Sequence, residues 1–235
     1  MPTALPRPTT VERRPPATTP RSLRAARVSV AAGLGFLALL LIVHLVRTDV
    51  SLSWQTTSEY ARGGAGWVMV AAFLVSAVSH GSLMAALAGR LRGVAGRAGL
   101  VVLAGVAVAT AVGGVFVTDP IDTPQNALST SGTLHGLGAG LALMATPVAA
   151  LLINLRLAGQ APAGSRTRRV LRWTAPLPLV ALVLFMTAQT VLLGEGGTFG
   201  PDVPIGGPER VLVLAYAAWQ LLTARIVSRP AADTM

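Results

Sequence analysis

Six long apolar runs dominate this sequence and limit what it can fold into. They cover approximately residues 28–46, 66–89, 98–117, 134–155, 173–193 and 210–227. A helix needs ~20 apolar residues to cross the ~30 Å hydrocarbon core of a bilayer. Lipid offers no partners for backbone N–H and C=O groups, so such runs must be helical, and the lack of alternating polarity argues against barrel strands. The sequence therefore predicts an all-α integral membrane protein with six transmembrane helices.

The composition agrees, since 52% of the residues are hydrophobic and only 12% are charged, whereas soluble domains carry about 25% charged residues. Residues 1–27 hold six prolines and six arginines and predict a disordered basic cytoplasmic tail. Residues 28–228 form the predicted transmembrane domain, and residues 229–235 a short cytoplasmic tail. The first apolar run is too long for a signal-peptide core, so we expect it to be retained.

The distribution of arginine predicts the orientation of the chain. With six spans, sixteen of the 19 basic residues fall on the side that carries both termini, and only Arg47, Arg62 and Arg210 fall on the other side, together with seven of the nine acids. Positive residues favour the cytoplasmic side. We therefore expect both termini to be cytoplasmic, in a plasma membrane. The net charge of +10 is then explained by the topology and by contact of the arginines with anionic lipid. We therefore expect the lipid bilayer to be the partner of this protein, and we expect no binding of nucleic acid.

Polar residues collect on the acidic, extracytoplasmic side. We expect Asp119, His135 and Glu209 to supply acid and base groups there, and Glu59, Tyr60 and Arg210 to bind a ligand in a shared pocket. The alternative is structural, because carboxylates and arginines at helix ends also cap helices, complement helix dipoles and reach back to the interface.

Three further polar residues lie within the spans, namely His80, Tyr216 and Gln220. Intramembrane polar groups are functional candidates, and Glu209, Tyr216 and Gln220 follow one stripe of the sixth span, although interhelical hydrogen bonding would explain them equally well. Gly136 and Gly140 form a G-x-x-x-G pair, and a stripe of small residues continues from His135 through Gly138, Ala139, Ala142, Ala145, Thr146 and Ala149. Both features predict close helix packing. The chain has no cysteine and no H-E-x-x-H or nucleotide motif, so we expect no metal and no cofactor.

Four motifs at the predicted helix ends together resemble a known family. They are S-E-Y-A-R-G-G-A-G-W-V-M before the second span, F-V-T-D-P after the third, S-G-T-L-H-G before the fourth and G-G-P-E-R before the sixth. In this order the chain resembles, from about residue 28 to 227, the bacterial and archaeal membrane family of unknown function numbered 998 (DUF998). Matching positions are Glu59, Tyr60, Asp119, Pro120, His135, Glu209 and Arg210, while Val117 stands where the family is expected to have proline. The resemblance implies a multi-pass membrane protein but no established activity.

Three functions fit these features. The first is an outer pocket for a lipid or small amphiphile, with or without acid–base catalysis. The second is a small-solute or proton-coupled transporter, which requires a polar route from the outer residues past His80 to the cytoplasm. The third is a non-catalytic membrane partner that uses its arginine-rich tail and the loop at 156–172 to recruit a cytoplasmic protein.

Overall fold

The structure is a computed structural model that describes residues 19–194 and 197–229. The described residues form seven α-helices and two 3-10 helices. The α-helices are α1 (Pro20–Val46), α2 (Trp67–Leu87), α3 (Gly93–Val115), α4 (Thr130–Gln160), α5 (Arg166–Thr174), α6 (Leu177–Leu193) and α7 (Gly206–Val227), and the 3-10 helices are Thr57–Ala61 and Gln125–Ala127.

Six segments are long and apolar enough to cross a bilayer: α1, α2, α3, α4, the pair α5–α6, and α7. The prediction of an all-α protein with six candidate membrane spans is therefore confirmed. Between 22% and 39% of the most apolar window of each span is buried inside the bundle. Large apolar side chains such as Leu34, Val101 and Leu137 are more than half exposed, as expected of surfaces that face lipid.

Helix bounds differ from the predicted spans where polar residues extend a helix. The prediction that residues 1–27 form a disordered tail is wrong for residues 20–27, because α1 begins at Pro20. Thr19 accepts a hydrogen bond from the Ser22 amide as the N-cap, and proline suits the first helical position. Residues 1–18 and 230–235 of the predicted tails lie outside the described residues. Helix α4 likewise extends beyond the predicted 134–155 at both ends.

The fifth predicted span, residues 173–193, is divided in the structure. Helix α5 ends at Thr174 and α6 begins at Leu177, with Pro176 as the N-cap of α6. Pro176 and Pro178 have no N–H group to donate to the carbonyls four residues earlier, so the helical hydrogen bonds are interrupted here, which explains the break. The amphipathic helix α5 buries Leu171 in the core, while Arg169, Arg172 and Trp173 are exposed.

Successive helices from α1 to α4 pack as close neighbours, and α7 packs against both α1 and α6. We name the two ends of the bundle by their charge. The acidic end carries the loops at 47–66, 116–129 and 197–205, and the basic end carries Arg90, Arg156 and α5. Apolar clusters fill both ends, around Tyr60 and Met69 at the acidic end and around Leu87 and Trp219 at the basic end.

Close packing of α3 on α4 depends on Gly138. A Cβ atom there would lie 2.8 Å from the Ala109 carbonyl oxygen and 2.9 Å from the Gly113 amide nitrogen. At Gly136 and Gly140 a Cβ atom would meet nothing within 4 Å. The predicted contact through Gly136 and Gly140 is therefore wrong, because the face of α4 that meets α3 passes through the glycine between them.

Candidate functional site

At the acidic end, Arg210 ties the loop at 47–66 to α7. Its Nη1 donates to the carbonyl oxygens of Leu52, Gln55 and Gly206 at 3.3, 2.9 and 2.9 Å, and its Nη2 lies 3.4 Å from the Tyr60 hydroxyl. The guanidinium also lies 5.7 Å from the centroid of the Tyr60 ring. The donors of Arg210 are thus directed at the protein itself, and Tyr60 is fully buried beneath it.

His44 completes this contact with a defined tautomer. Arg210 Nε lies 3.0 Å from His44 Nε2, and His44 Nδ1 lies 2.6 Å from the Leu40 carbonyl oxygen. A guanidinium only donates and a carbonyl only accepts. The proton of His44 is therefore on Nδ1, and the ring is neutral in this arrangement.

A second arginine fixes the same loop. Arg47 Nε and Nη2 donate to the two carboxylate oxygens of Asp49, each at 2.7 Å, and Nη1 donates to the carbonyl oxygens of Tyr60, at 3.2 Å, and Arg62. The hydrogen bond from Arg47 lowers the pKa of the Asp49 carboxyl, and the same bond raises the pKa of Arg47. Arg47 and Arg210 therefore both hold this loop in place.

Glu59 is 2% exposed and connects two loops. Its Oε1 accepts from the Ile121 amide at 2.7 Å, its Oε2 accepts from Gln55 Nε2, and Arg62 Nη1 lies 3.9 Å away. The carboxylate thus joins the 3-10 helix Thr57–Ala61 to the α3–α4 connection.

Asp119 organises the start of α4. Its two carboxylate oxygens accept from the amide and the hydroxyl of Ser129, at 2.7 and 2.9 Å, and the Ser129 hydroxyl accepts from the Gly132 amide at 2.9 Å. A Cβ atom at Gly132 would clash with the Asp119 carboxylate. Asp119 therefore holds the N-cap of α4 in position.

His135 binds the end of α3. It is 4% exposed, and its Nδ1 lies 2.7 Å from the Gly113 carbonyl oxygen and 2.9 Å from that of Phe116. The last carbonyls of a helix lack intrahelical partners, and both of these groups are acceptors, so Nδ1 donates. His135 thus satisfies the C-terminus of α3 from α4, with Phe73 in an edge contact 5.8 Å from its ring.

A cavity of about 160 Å³ lies in the centre of the bundle among α1, α2, α3, α4 and α7. Apolar side chains such as Phe36, Met69 and Leu143 form much of its wall. Its polar lining runs from the acidic end to the middle of the bundle and comprises Thr57, Ser58, Ser76, His80, Thr110, Thr146, Glu209, Tyr216 and Gln220.

Glu209 places a carboxylate at the acidic end of this cavity. Its Oε1 accepts from the Thr57 hydroxyl at 2.6 Å and its Oε2 from the Thr57 amide at 3.2 Å. The position in the first turn of α7 also favours a negative charge, because the positive end of the helix dipole lies there. Among the residues lining the cavity, Glu209 is the one carboxylate.

Tyr216 meets a backbone group that a proline leaves unpaired. Pro147 lies inside α4 and has no N–H, so the carbonyl of Leu143, four residues earlier, loses its helical donor. The Tyr216 hydroxyl donates to this carbonyl at 2.9 Å. The hydrogen bond joins α7 to α4 along the wall of the cavity.

Gln220 lies at the deep end of the cavity and joins three helices. Its Nε2 donates to the hydroxyls of Ser29 and Ser79, at 2.7 and 2.5 Å, and each hydroxyl donates to the backbone carbonyl of the other serine. His80, close by on α2, directs Nδ1 to the Ser76 carbonyl at 2.9 Å. Beyond them towards the basic end, Leu83, Leu87 and Ala224 are fully buried.

The structure thus separates the predicted site residues into two groups. Glu209, His80, Tyr216 and Gln220 line the cavity, whereas Asp119, His135, Glu59, Tyr60 and Arg210 bind loops and helix ends around it. Among these described residues no hydrogen bond joins Asp119 or His135 to Glu59 or Glu209. Within residues 19–194 and 197–229, no three His, Asp or Glu residues come together as a metal site.

Sequence reasoning missed Thr57, which positions Glu209, and the two serines that hold Gln220. Thr57 directly precedes the S-E-Y motif, and its hydroxyl can be assigned a role only once the loop is known to reach α7. Ser29 is the second residue of the predicted first span, so its match in depth to Ser79 and Gln220 becomes visible only because α1 begins at Pro20. Once the start of α1 is known, polar residues at matching depths in different helices are the signal that could have revealed this network.

Comparison with known proteins gives a family and no activity. The profile of a family described as "Protein of unknown function (DUF998)" matches residues 30–226, which include the second to fifth candidate spans whole, the first from residue 30 and the sixth up to residue 226. No curated protein and no solved structure matches the chain. On the match over residues 30–226, the chain belongs to the DUF998 family of membrane proteins of unknown function.

Proposed function

We propose that this protein binds a small, single-chain amphiphile, with the apolar part in the central cavity and a hydrogen-bond-donating or cationic head group at Glu209. The observation that carries this proposal is the cavity itself, whose long apolar wall ends at one carboxylate. Ligand sites have this character in general, with mostly apolar walls and a few polar groups that orient the ligand.

The size of the cavity favours a short chain. Sites for drug-sized ligands occupy ~300–1,000 Å³, and the cavity measures about 160 Å³. A two-chain phospholipid exceeds this space, whereas one short alkyl chain fits the apolar part of the wall.

The charge of the site favours an amine over an acid. Glu209 keeps lone pairs free beside its two bonds from Thr57, because a carboxylate accepts about four hydrogen bonds. Arg210, which the sequence suggested as a ligand-binding residue, directs its donors at loop carbonyls, His44 and Tyr60. An ammonium group therefore has a partner in the cavity, and a carboxylate would face Glu209.

Binding is better supported than acid–base catalysis or transport. Of the three residues expected to act as acid or base, only Glu209 lines the cavity, while Asp119 and His135 hold helix ends. A transport route would have to continue from Gln220 to the basic end, where tightly packed apolar side chains lie. The partner-recruiting function depends on the arginine-rich tail, of which residues 1–18 lie outside the described residues, and on the segment 156–172 at the basic end.

We further propose that the acidic end faces outward in a bacterial plasma membrane, with both termini cytoplasmic. The arginine distribution supports this orientation. Because the chain has no cysteine, single cysteines report it cleanly. Asp202→Cys should react with a membrane-impermeant maleimide in intact cells and Arg169→Cys only after lysis. The reverse pattern would invert the topology.

Thermal unfolding in lipid nanodiscs tests the ligand class, with octylamine, octanol and octanoate as probes of equal chain length. Octylamine should stabilise the protein most. A ligand at a hundred times its Kd adds ~2.7 kcal/mol. Glu209→Gln should remove the advantage of the amine, and Ala142→Leu, which adds bulk to the cavity wall, should remove the response to all three probes.

Asp122→Asn is the matched control, because Asp122 is an exposed acid at the same end and does not line the cavity. It should respond as the wild type does. Equal stabilisation by octanoate and octylamine, or an unchanged preference in Glu209→Gln, would refute the proposal.

A further inference from the structure

A second site lies outside the central cavity, in a groove between α1 and α2 at the basic end. The groove measures about 370 Å³ and is lined by Arg21, Arg24, Ala25, Val28, Gly81, Ser82 and Ala85. We propose that it binds one anionic phospholipid of the adjacent leaflet, with the phosphate at Arg21 and Arg24 and the start of an acyl chain along the small residues.

The lining residues of α1 form one stripe. Arg21, Arg24, Ala25 and Val28 are spaced by three or four residues, so they lie on one face of the helix. The distance along the helix from Arg21 to Val28 is about 10 Å, at ~1.5 Å per residue. The charged groups are nearest the helix terminus and the apolar ones deeper in the span, which is the order of head group and chain in a phospholipid.

The charge of the groove is unbalanced. Both arginines are exposed, and within residues 19–194 and 197–229 the ion pairs, Arg47–Asp49 and Arg62–Glu59, lie at the acidic end. Arginine forms bidentate hydrogen bonds with phosphate oxygens. An anionic lipid head group supplies the missing negative charge.

The floor of the groove is open and apolar. A Cβ atom at Gly81 would meet nothing within 4 Å, and Val28 is 43% exposed. A free phosphate ion would leave these surfaces uncovered, whereas an acyl chain covers them. The site therefore fits a lipid better than a soluble anion.

Native mass spectrometry of the full chain, purified from mixed lipid, tests the site. Phosphatidylglycerol and phosphatidylcholine are offered together, and the ratio retained on the protein is measured. Arg21→Gln/Arg24→Gln should lower the retained ratio roughly 25-fold, since each arginine near an anionic surface contributes about five-fold in affinity. Gly81→Leu should lower retention of phosphatidylglycerol while leaving both arginines in place.

Arg166→Gln/Arg169→Gln is the matched control, an exposed pair with the same spacing at the same end that does not line this groove. It should keep the wild-type ratio, and excess inorganic phosphate should not displace the lipid. The proposal is overturned if the control loses as much selectivity as Arg21→Gln/Arg24→Gln, if Gly81→Leu retains as much phosphatidylglycerol as the wild type, or if phosphate displaces it. Gly81→Leu changes no charge and leaves both arginines in place. If the arginine variant does not fold, the lipid retention of Gly81→Leu therefore tests the proposal on its own.

Discussion

Replacing Gly138 with alanine should loosen the contact between α3 and α4. The new Cβ atom would lie 2.8 Å from the Ala109 carbonyl oxygen, whereas ordinary contacts of a Cβ atom begin at 3.4 Å, so this contact must lengthen by 0.6 Å (3.4 minus 2.8). Two of the three nearest atoms belong to the backbone of α3. A backbone cannot move aside as a flexible side chain does, so the two helices must separate.

The expected cost follows from two opposing effects. Overpacking of a close contact costs ~1–3 kcal/mol, and alanine gains ~1 kcal/mol over glycine within a helix. Gly136→Ala and Gly140→Ala receive the same gain with no clash, because their Cβ atoms would meet open space. Gly138→Ala should therefore be less stable than either control by the overpacking cost alone.

Thermal unfolding of the three variants in the same nanodiscs measures this difference. For chains of this size ~1 kcal/mol corresponds to about 2–4 °C in Tm. Separation of the helices would also stretch the bonds from His135 to the Gly113 and Phe116 carbonyls. If Gly138→Ala melts with the controls or above them, the described packing of α4 on α3 is incorrect.

Three further substitutions test individual contacts. Tyr216→Phe should lower the free energy of unfolding by ~1 kcal/mol, because it leaves the Leu143 carbonyl unpaired. In a Pro147→Ala background the residue-147 amide can donate to this carbonyl, so the same substitution should cost nothing. Equal costs in both backgrounds would contradict this explanation. Asp119→Ala should lower the free energy of unfolding by ~0.5–2 kcal/mol, because it weakens the cap of α4. The stabilisation by octylamine should be unchanged. Loss of that stabilisation without a change in the stability of the free protein would instead place Asp119 in the binding site. Arg210→Lys should lower the free energy of unfolding by ~1.5–3 kcal/mol, the value of a hydrogen bond to a charged group. It should also speed proteolysis of the loop at 47–66. Cleavage at the wild-type rate would show that Arg210 does not hold the loop.

The sequence predicted which segments form helices better than it predicted the residues at which those helices begin and end. Apolar length identified all six spans, but α1 and α4 extend into polar residues because Thr19 and Ser129 cap them outside the apolar runs. Hydropathy reflects the free energy of placing a side chain in lipid. The end of a helix is decided instead by hydrogen bonds to its first amides and last carbonyls.

The site was predicted in part. The stripe on the sixth span anticipated that Glu209, Tyr216 and Gln220 share a face, since helical spacing alone determines this. Spacing could not show that Asp119 and His135 are engaged elsewhere. Their partners, the Ser129 amide and the Gly113 carbonyl, become known only when α3 and α4 are packed together.

By itself the sequence determined that this chain forms six helices suited to a membrane, with basic residues at one end and acidic residues at the other. Both properties follow from the free energy of placing apolar and charged groups in lipid, which depends on residue type and position along the chain. The tertiary structure decided which polar groups surround the cavity, which glycine lets two helices meet, and which arginines bind loops. These outcomes depend on the rotation of each helix about its axis, which is set by packing against neighbours and by the need to pair every buried polar group.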